Sequence, residues 1–303
     1  MEHIVNTLIP IFSLILLGFY FKKTKFPSID FWPMADKFTY YVLMPSLLVY
    51  KLSSANINLE YTLNLVITAL LSVLVVFVSL VVFNKIVKFE SRAFTSIMQG
   101  GIRFNSYVFL AFIDSLYGDK GLVLAAIVMA FVIPFINILC ISTFAIYTRK
   151  GNFSFKSFLK TIVKNPLILA CALGGLINGS GLELPLVSMK FLAILSNAAL
   201  PVGLLSVGVG LEFKYLRSAK KELVVAVFGK LFYFPLVIYG IGFLFGLSGM
   251  MLSIAVVFGA MPTAVSGYIL ARELGGDTTL MASIITLQTL LCMLTLFLVI
   301  PIL

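Results

Sequence analysis

The stretch Met98–Gly118, M-Q-G-G-I-R-F-N-S-Y-V-F-L-A-F-I-D-S-L-Y-G, stands where a membrane span belongs, yet it reads as an interrupted one. It opens on Gly100-Gly101 and then places Arg103, Asn105 and Ser106 in or near the apolar layer. Backbone groups freed in lipid cost several kcal/mol each unless protein or a wet cavity satisfies them. The second half of the chain holds a counterpart, Val257–Ala264, V-F-G-A-M-P-T-A, with Gly259 and Pro262 inside an apolar run. Two interrupted spans, one in each half, mark the binding site of a membrane carrier.

Composition agrees with a membrane setting. The chain has 303 residues, 61% hydrophobic and only 11% charged, with a mean hydropathy of +1.11. A soluble domain is nearer a quarter charged. The net charge of +10 resides in short loops between apolar runs. It therefore speaks of topology rather than of nucleic acid, for which no basic, aromatic-interleaved face exists. Cys140, Cys171 and Cys292 fall inside apolar runs and read as reduced thiols, and the single histidine is His3. No metal site or cofactor is expected from that material. Lys22, Lys23 and Lys25 follow the first apolar run and no cation precedes it, which reads as a first span rather than a cleaved leader.

A spanning helix needs about 20 mostly apolar residues. Ten segments qualify: roughly 4–21, 36–53, 61–84, 93–117, 120–147, 161–178, 184–209, 222–246, 250–273 and 278–302. The connections after spans 1, 3, 5, 7 and 9 carry Lys22, Lys23, Lys25, Lys85, Lys88, Arg92, Arg149, Lys150, Lys156, Lys160, Lys214, Arg217, Lys220, Lys221 and Arg272. The opposite side has only Lys51, Lys120 and Lys190. The positive-inside rule then puts those connections in the cytoplasm and both termini outside the cell membrane. Pro10, Gly18 and Pro45 recur 156 residues later as Pro166, Gly174 and Pro201, and Tyr41 recurs in position as Asn197. A unit of five spans copied in tandem must insert upside down. The expected fold is an all-α polytopic membrane protein, one transmembrane domain of two inverted repeats, about 1–150 and 151–303.

At these residues the chain resembles the auxin efflux carrier family in its bacterial branch, described as malate- or malonate-type permeases. The resemblance rests on R-F-N-S (Arg103–Ser106), M-P-T-A-V (Met261–Val265), A-R-E-L-G-G-D (Ala271–Asp277) and L-M-P-S-L-L (Leu43–Leu48). It implies a fold like that of sodium/proton antiporters and bile-acid symporters, with spans 4 and 9 broken and crossing at the midplane. Spans 1, 2, 6 and 7 would form a scaffold, often at a homodimer contact. The remaining spans would carry an organic anion by elevator-like movement. Plant members have an Asn-Pro pair at the span-4 break, whereas here Asn105 is followed by Ser106.

The candidate residues follow. Asn105 and Asn137 offer amides near mid-membrane, either to a substrate carboxylate or to a neighbouring helix. Ser106 and Thr263 are expected to begin the second half-helices, whose free N–H groups suit an anion or a simple cap. Met261 and Pro262 would shape the span-9 break, with Pro262 in the first turn of the new half-helix. Gly100, Gly101 and Gly259 would allow close crossing. Arg103 would meet either the anion or the carbonyl end of a half-helix, and Lys230 is expected as a carbonyl or crossing-point partner. Pro45, Asn197 and Pro201 mark the scaffold. Asp114, near the outer end of span 4, reads as a solvated face or else a proton-coupling carboxylate, and Gln288 in span 10, like Asn137, as an amide that faces the crossing or else packs between helices.

The function expected is secondary transport of a small organic anion, with a proton or sodium ion as candidate coupling partner. A cation–proton exchanger on the same fold would require buried acid pairs, and none are visible. An intramembrane enzyme would need a His, Cys or Asp constellation at the midplane, and a receptor would usually add a soluble signalling domain.

Overall fold

Residues 2–55, 59–148, 163–218 and 221–299 are described by a computed structural model of the chain. Arg149, Lys150, Lys156, Lys160 and Lys220, and the first residues of the expected sixth span, lie outside the described residues. Among those described, the chain is helical and contains no strand. The helices are α1 (Glu2–Thr24), α2 (Phe31–Phe38), α3 (Met44–Ser53), α4 (Leu59–Val87), α5 (Ser91–Ile102), α6 (Ser106–Tyr147), α7 (Pro166–Ser180), α8 (Leu186–Val209), α9 (Lys221–Phe228), α10 (Phe234–Leu244), α11 (Gly249–Ala260), α12 (Ser266–Leu274) and α13 (Thr278–Val299).

Among the described residues, six stretches are long and apolar enough to cross a membrane, and α7 and α11 are shorter apolar helices. One of the six, Ser91–Tyr147, has 57 residues. At 1.5 Å per residue it would measure about 85 Å, more than twice the roughly 30 Å of bilayer hydrocarbon. The chain divides it twice. Arg103 and Asn105 take extended backbone and end α5. Gly118, at φ 57° and ψ −149°, then turns the chain inside α6. Only glycine adopts that conformation without a Cβ penalty, so the corner is written into the sequence.

Two prolines reshape their helices in the same way. A π-helical turn, Thr39–Leu43, joins α2 to α3, and another, Gly229–Tyr233, joins α9 to α10. Each is followed by a proline at the second position of the next helix, Pro45 and Pro235. Proline has no N–H and collides with the carbonyl four residues back. One wide turn shifts the ladder past that carbonyl and lets the helix continue.

Packing brings distant parts of the chain together. α1 lies on α8, and α3 lies on both α7 and α8. A Cβ on Gly18 would fall 2.1 Å from the Leu205 carbonyl oxygen, and one on Gly208 would fall 1.9 Å from that of Ile15. Backbone touches backbone at both places, which small residues permit in membranes. On the other side, α4 packs on α6 and α10, α10 on α11, and α5 on α6 and α9. A single apolar cluster runs through both sets.

Candidate functional site

The two interruptions lie against each other. The backbone N–H of Asn105 donates to the carbonyl of Pro262 at 2.7 Å, so the break after α5 and the break after α11 are joined directly. The first break satisfies itself locally. Asn105 is the N-cap of α6, and its Oδ1 accepts from the N–H groups of Tyr107 (3.0 Å) and Val108 (3.3 Å). The second break is satisfied from elsewhere. Gln288 of α13 is fully buried, and its Oε1 accepts the Thr263 N–H at 2.9 Å. Its Nε2 donates to the carbonyls of Gly100 (2.9 Å) and Ala226 (3.0 Å). The Thr263 hydroxyl lies 3.1 Å from the Gly100 carbonyl and 2.7 Å from Gln288 Oε1.

Consequently the second half-helix of span 9 does not begin at Thr263. Met261 is extended, and α12 starts only at Ser266, capped by backbone alone. The bonds to Asn105 and Gln288 hold Pro262 and Thr263 out of helical geometry, so Pro262 sits in the non-helical segment before α12 rather than in a first helical turn. Ser106 does begin α6.

Beside this joint is a cavity of about 180 Å³. Its polar lining is Tyr40, Arg103, Ser106, Asn137, Asn165 and Ser266, with Phe104, Ile133, Ile136, Leu167 and Ala264 as the apolar remainder. Arg103 is the cation among them, and the lining includes no carboxylate. Its guanidinium donates to Asn137 Oδ1 at 3.1 Å and to Ser266 Oγ at 3.2 Å. It therefore meets side chains rather than the carbonyl end of α5. Three helices start at this cavity, α6 at Ser106, α7 at Asn165 and α12 at Ser266, and their positive ends add to the charge of Arg103.

The expected site residues thus divide. Ser106, Asn137 and Arg103 line the cavity. Asn105, Met261, Pro262 and Thr263 build the wall behind it and are buried. Gly100, Gly101 and Gly259 are packing positions, where a Cβ would meet Ile284 at 2.8 Å, Leu80 at 2.5 Å and Ile238 at 3.0 Å respectively. Lys230 is fully buried with no hydrogen-bond acceptor for Nζ, so it caps no carbonyl. Its ammonium position lies over the rings of Phe234 (4.3 Å) and Phe258 (5.6 Å). Asn197 and Pro201 are exposed on α8, Pro45 of α3 is half-buried, and none of the three lines the cavity.

Tyr40, Asn165 and Ser266 were not foreseen. Asn165 had a legible signal: Asn-Pro ahead of an apolar run is an N-cap followed by proline at N1. Its Oδ1 accepts from the Leu167 and Ile168 N–H groups at 3.0 and 3.3 Å. Tyr40 had none, because only the wide turn Thr39–Leu43 and the packing of α3 bring it there. Among the described residues no group of three or more His, Cys, Asp or Glu side chains is placed to hold a metal.

Known proteins bear on this arrangement. A transporter of Methanothermobacter thermautotrophicus, itself uncharacterized, is 30% identical over 138 residues, which is 46% of this chain and 45% of that protein. The chain therefore spans about half the length of that curated relative in the match. A family model described as membrane transport protein matches residues 3–300. With broken helices joined back to back and a cation-lined cavity at the joint, the chain belongs to this membrane transport family, the auxin efflux carrier-like group.

Proposed function

We propose that this protein is a secondary transporter for a small organic anion such as a carboxylate. The observation that carries the reading is the cavity at the joint of the two breaks: a guanidinium, two amides and three hydroxyls, with no carboxylate in the lining. A carboxylate docks on Arg103, with Ser266, Asn137 and Ser106 within the same pocket. A volume near 180 Å³ suits an acid of a few carbons rather than a bulky one.

The mechanism is alternating access of the elevator type. The ten expected spans form two inverted repeats in this reading, and the contacts of α1, α3, α7 and α8 with one another support a scaffold of spans 1, 2, 6 and 7. Tyr40 and Asn165 reach the cavity from that scaffold. Arg103, Ser106, Asn137 and Ser266 reach it from the crossing bundle. A site shared across such a boundary is exposed to one side and then the other as the bundle slides. Tyr107, whose hydroxyl donates to Asp36 at 3.2 Å, ties the bundle to the scaffold in the present state. The protein acts as a homodimer in the cell membrane with both termini outside. The membrane potential, about 2.3 kcal/mol per charge per 100 mV, favours export of an anion from a cell negative inside. Uptake needs a coupled cation.

Counterflow exchange in proteoliposomes, run across labelled mono- and dicarboxylates, tests this. Exchange of one class of acid is expected, together with its loss in Arg103→Gln. Failure to exchange any of them overturns the reading.

A further inference from the structure

Lys230 has no role in the cavity, yet its surroundings are unlike those of any other lysine described. Most of the others lie near helix ends or in connections, while Lys230 is fully enclosed. It stands in the wide turn Gly229–Tyr233, a form of helix concentrated at functional sites. Snorkelling to the surface would have left the amine exposed, and it is not.

The ordinary explanation of a cation here is neutralisation of the carbonyls at the breaks. Those carbonyls already have neutral donors. Gly100 O receives Gln288 Nε2, with the Thr263 hydroxyl beside it, Ala226 O receives Gln288, Pro262 O receives the Asn105 N–H, and Ala260 O receives the Cys292 thiol. Lys230 Nζ touches none of them. Among the described residues no carboxylate pairs with it either. The segments packed on its turn are α5, α9, α10, α11 and α13. Within them and the turn, the titratable groups are Arg92, Lys221, Glu222, Tyr233, Tyr239 and Cys292. Of these, the Cys292 thiol donates to the Ala260 carbonyl, and the Tyr233 hydroxyl is paired with Ser79.

What does surround Nζ is aromatic. Phe258 stacks edge-on against Phe234 and against Phe104, with centroids at 5.6 and 4.8 Å. Phe104 lines the anion cavity next to Arg103. Two rings, Phe258 and Phe104, thus lie between the amine and an anion held in the cavity. Ring faces offset part of the cost of an enclosed ammonium, and nothing else in its shell offsets the remainder.

We propose that Lys230 is the proton-binding site that couples anion transport to a proton gradient, an inference that rests on the carrier reading above. The amine takes up one proton when the bundle faces outward and releases it when the bundle faces inward. One proton then enters with each anion, no covalent bond is made, and the proton's charge compensates one negative charge of the substrate.

Proteoliposomes with the wild type, Lys230→Met and Lys230→Gln test this in two arms. Counterflow at equal pH on both sides measures the carrier alone. Net uptake against an imposed gradient of about one pH unit, acid outside, measures coupling, with a pH dye inside the vesicles reporting proton entry. For one proton per anion, the wild type accumulates substrate up to about tenfold over the ungraded control. Both variants are expected to exchange in counterflow and to show less than about twofold stimulation by the gradient, without substrate-linked acidification. Gradient-driven accumulation in either variant that matches the wild type overturns the assignment. So does a wild type that exchanges but neither accumulates nor acidifies. Absence of exchange in the wild type would instead bring down the carrier reading, and this inference with it. Should one variant fail to insert, the other and the wild-type dye signal still decide.

Discussion

The break at Arg103–Asn105 and the break at Met261–Val265 face each other, but they are held open by different means. The first carries its own cap: Asn105 satisfies two N–H groups of α6 from within three residues. It also carries the charge, through Arg103. The second has a proline and no charge, and α12 has no side-chain cap. It is held by Gln288, which lies 25 residues from Thr263 and 188 from Gly100 along the chain. A lipid-embedded chain must satisfy every freed backbone group. It does so here once by local sequence and once by a residue supplied through tertiary packing. The locally capped break supplies the cation of the cavity lining, and the remotely held one closes against it.

This contrast can be broken or sharpened by substitution. The largest effect is expected at Arg103. Removing the single cation of the cavity in Arg103→Gln should lower substrate exchange at least roughly 100-fold, the scale of about 3 kcal/mol for a charge-assisted contact. Exchange near the wild-type rate would mean that the charged break is no more functional than the neutral one. Gln288→Leu comes next. It strips the Thr263 N–H and two carbonyls of a buried partner, at about 1–3 kcal/mol for each group left unsatisfied. The melting temperature in detergent should fall more than for any other single change at the joint.

Asn105→Ala should cost less, about 1 kcal/mol, as loss of an N-cap does, because the backbone bond to Pro262 remains. Asn105→Asp, which keeps the accepting oxygen, should restore most of the melting temperature. If Asn105→Ala proves more damaging than Gln288→Leu, the division between local and remote support is wrong. Pro262→Ala should have the smallest effect, under about 1 kcal/mol in the same melting assay, because the carbonyl that receives Asn105 survives the change. A large loss there would show that the proline ring, and not the crossing hydrogen bond, keeps the second break extended.

Much of this was legible beforehand, and the failures share a cause. The first break was placed at Gly100–Ser106 and the second at Gly259–Thr263, and the observed interruptions overlap both. Asn105 was expected to meet a substrate carboxylate or a neighbouring helix, whereas its Oδ1 caps α6, a role whose signal, an amide ahead of a helix start, is local. Thr263 was misplaced by three residues because what prevents the helix from starting there is Gln288. Gln288 was readable as an amide that could face the crossing, but nothing in span 10 announces which carbonyls lie opposite it. The marks that suggested repetition, Asn197 and Pro201, lie exposed on α8 and take no part in the cavity.

The amino-acid sequence alone determined that the chain is helical and apolar and that two of its apolar stretches are interrupted, and it supplied the glycine that the corner at Gly118 needs. Those properties follow from hydropathy, from φ restrictions and from caps, which act over a few residues. Only the tertiary structure decided that the two breaks meet, that Gln288 and Thr263 knit them, that Asn165 and Tyr40 enter the cavity, and that Lys230 is left without an acceptor. These depend on which helix faces arrive at the same point, and that is set by packing among residues up to 188 positions apart.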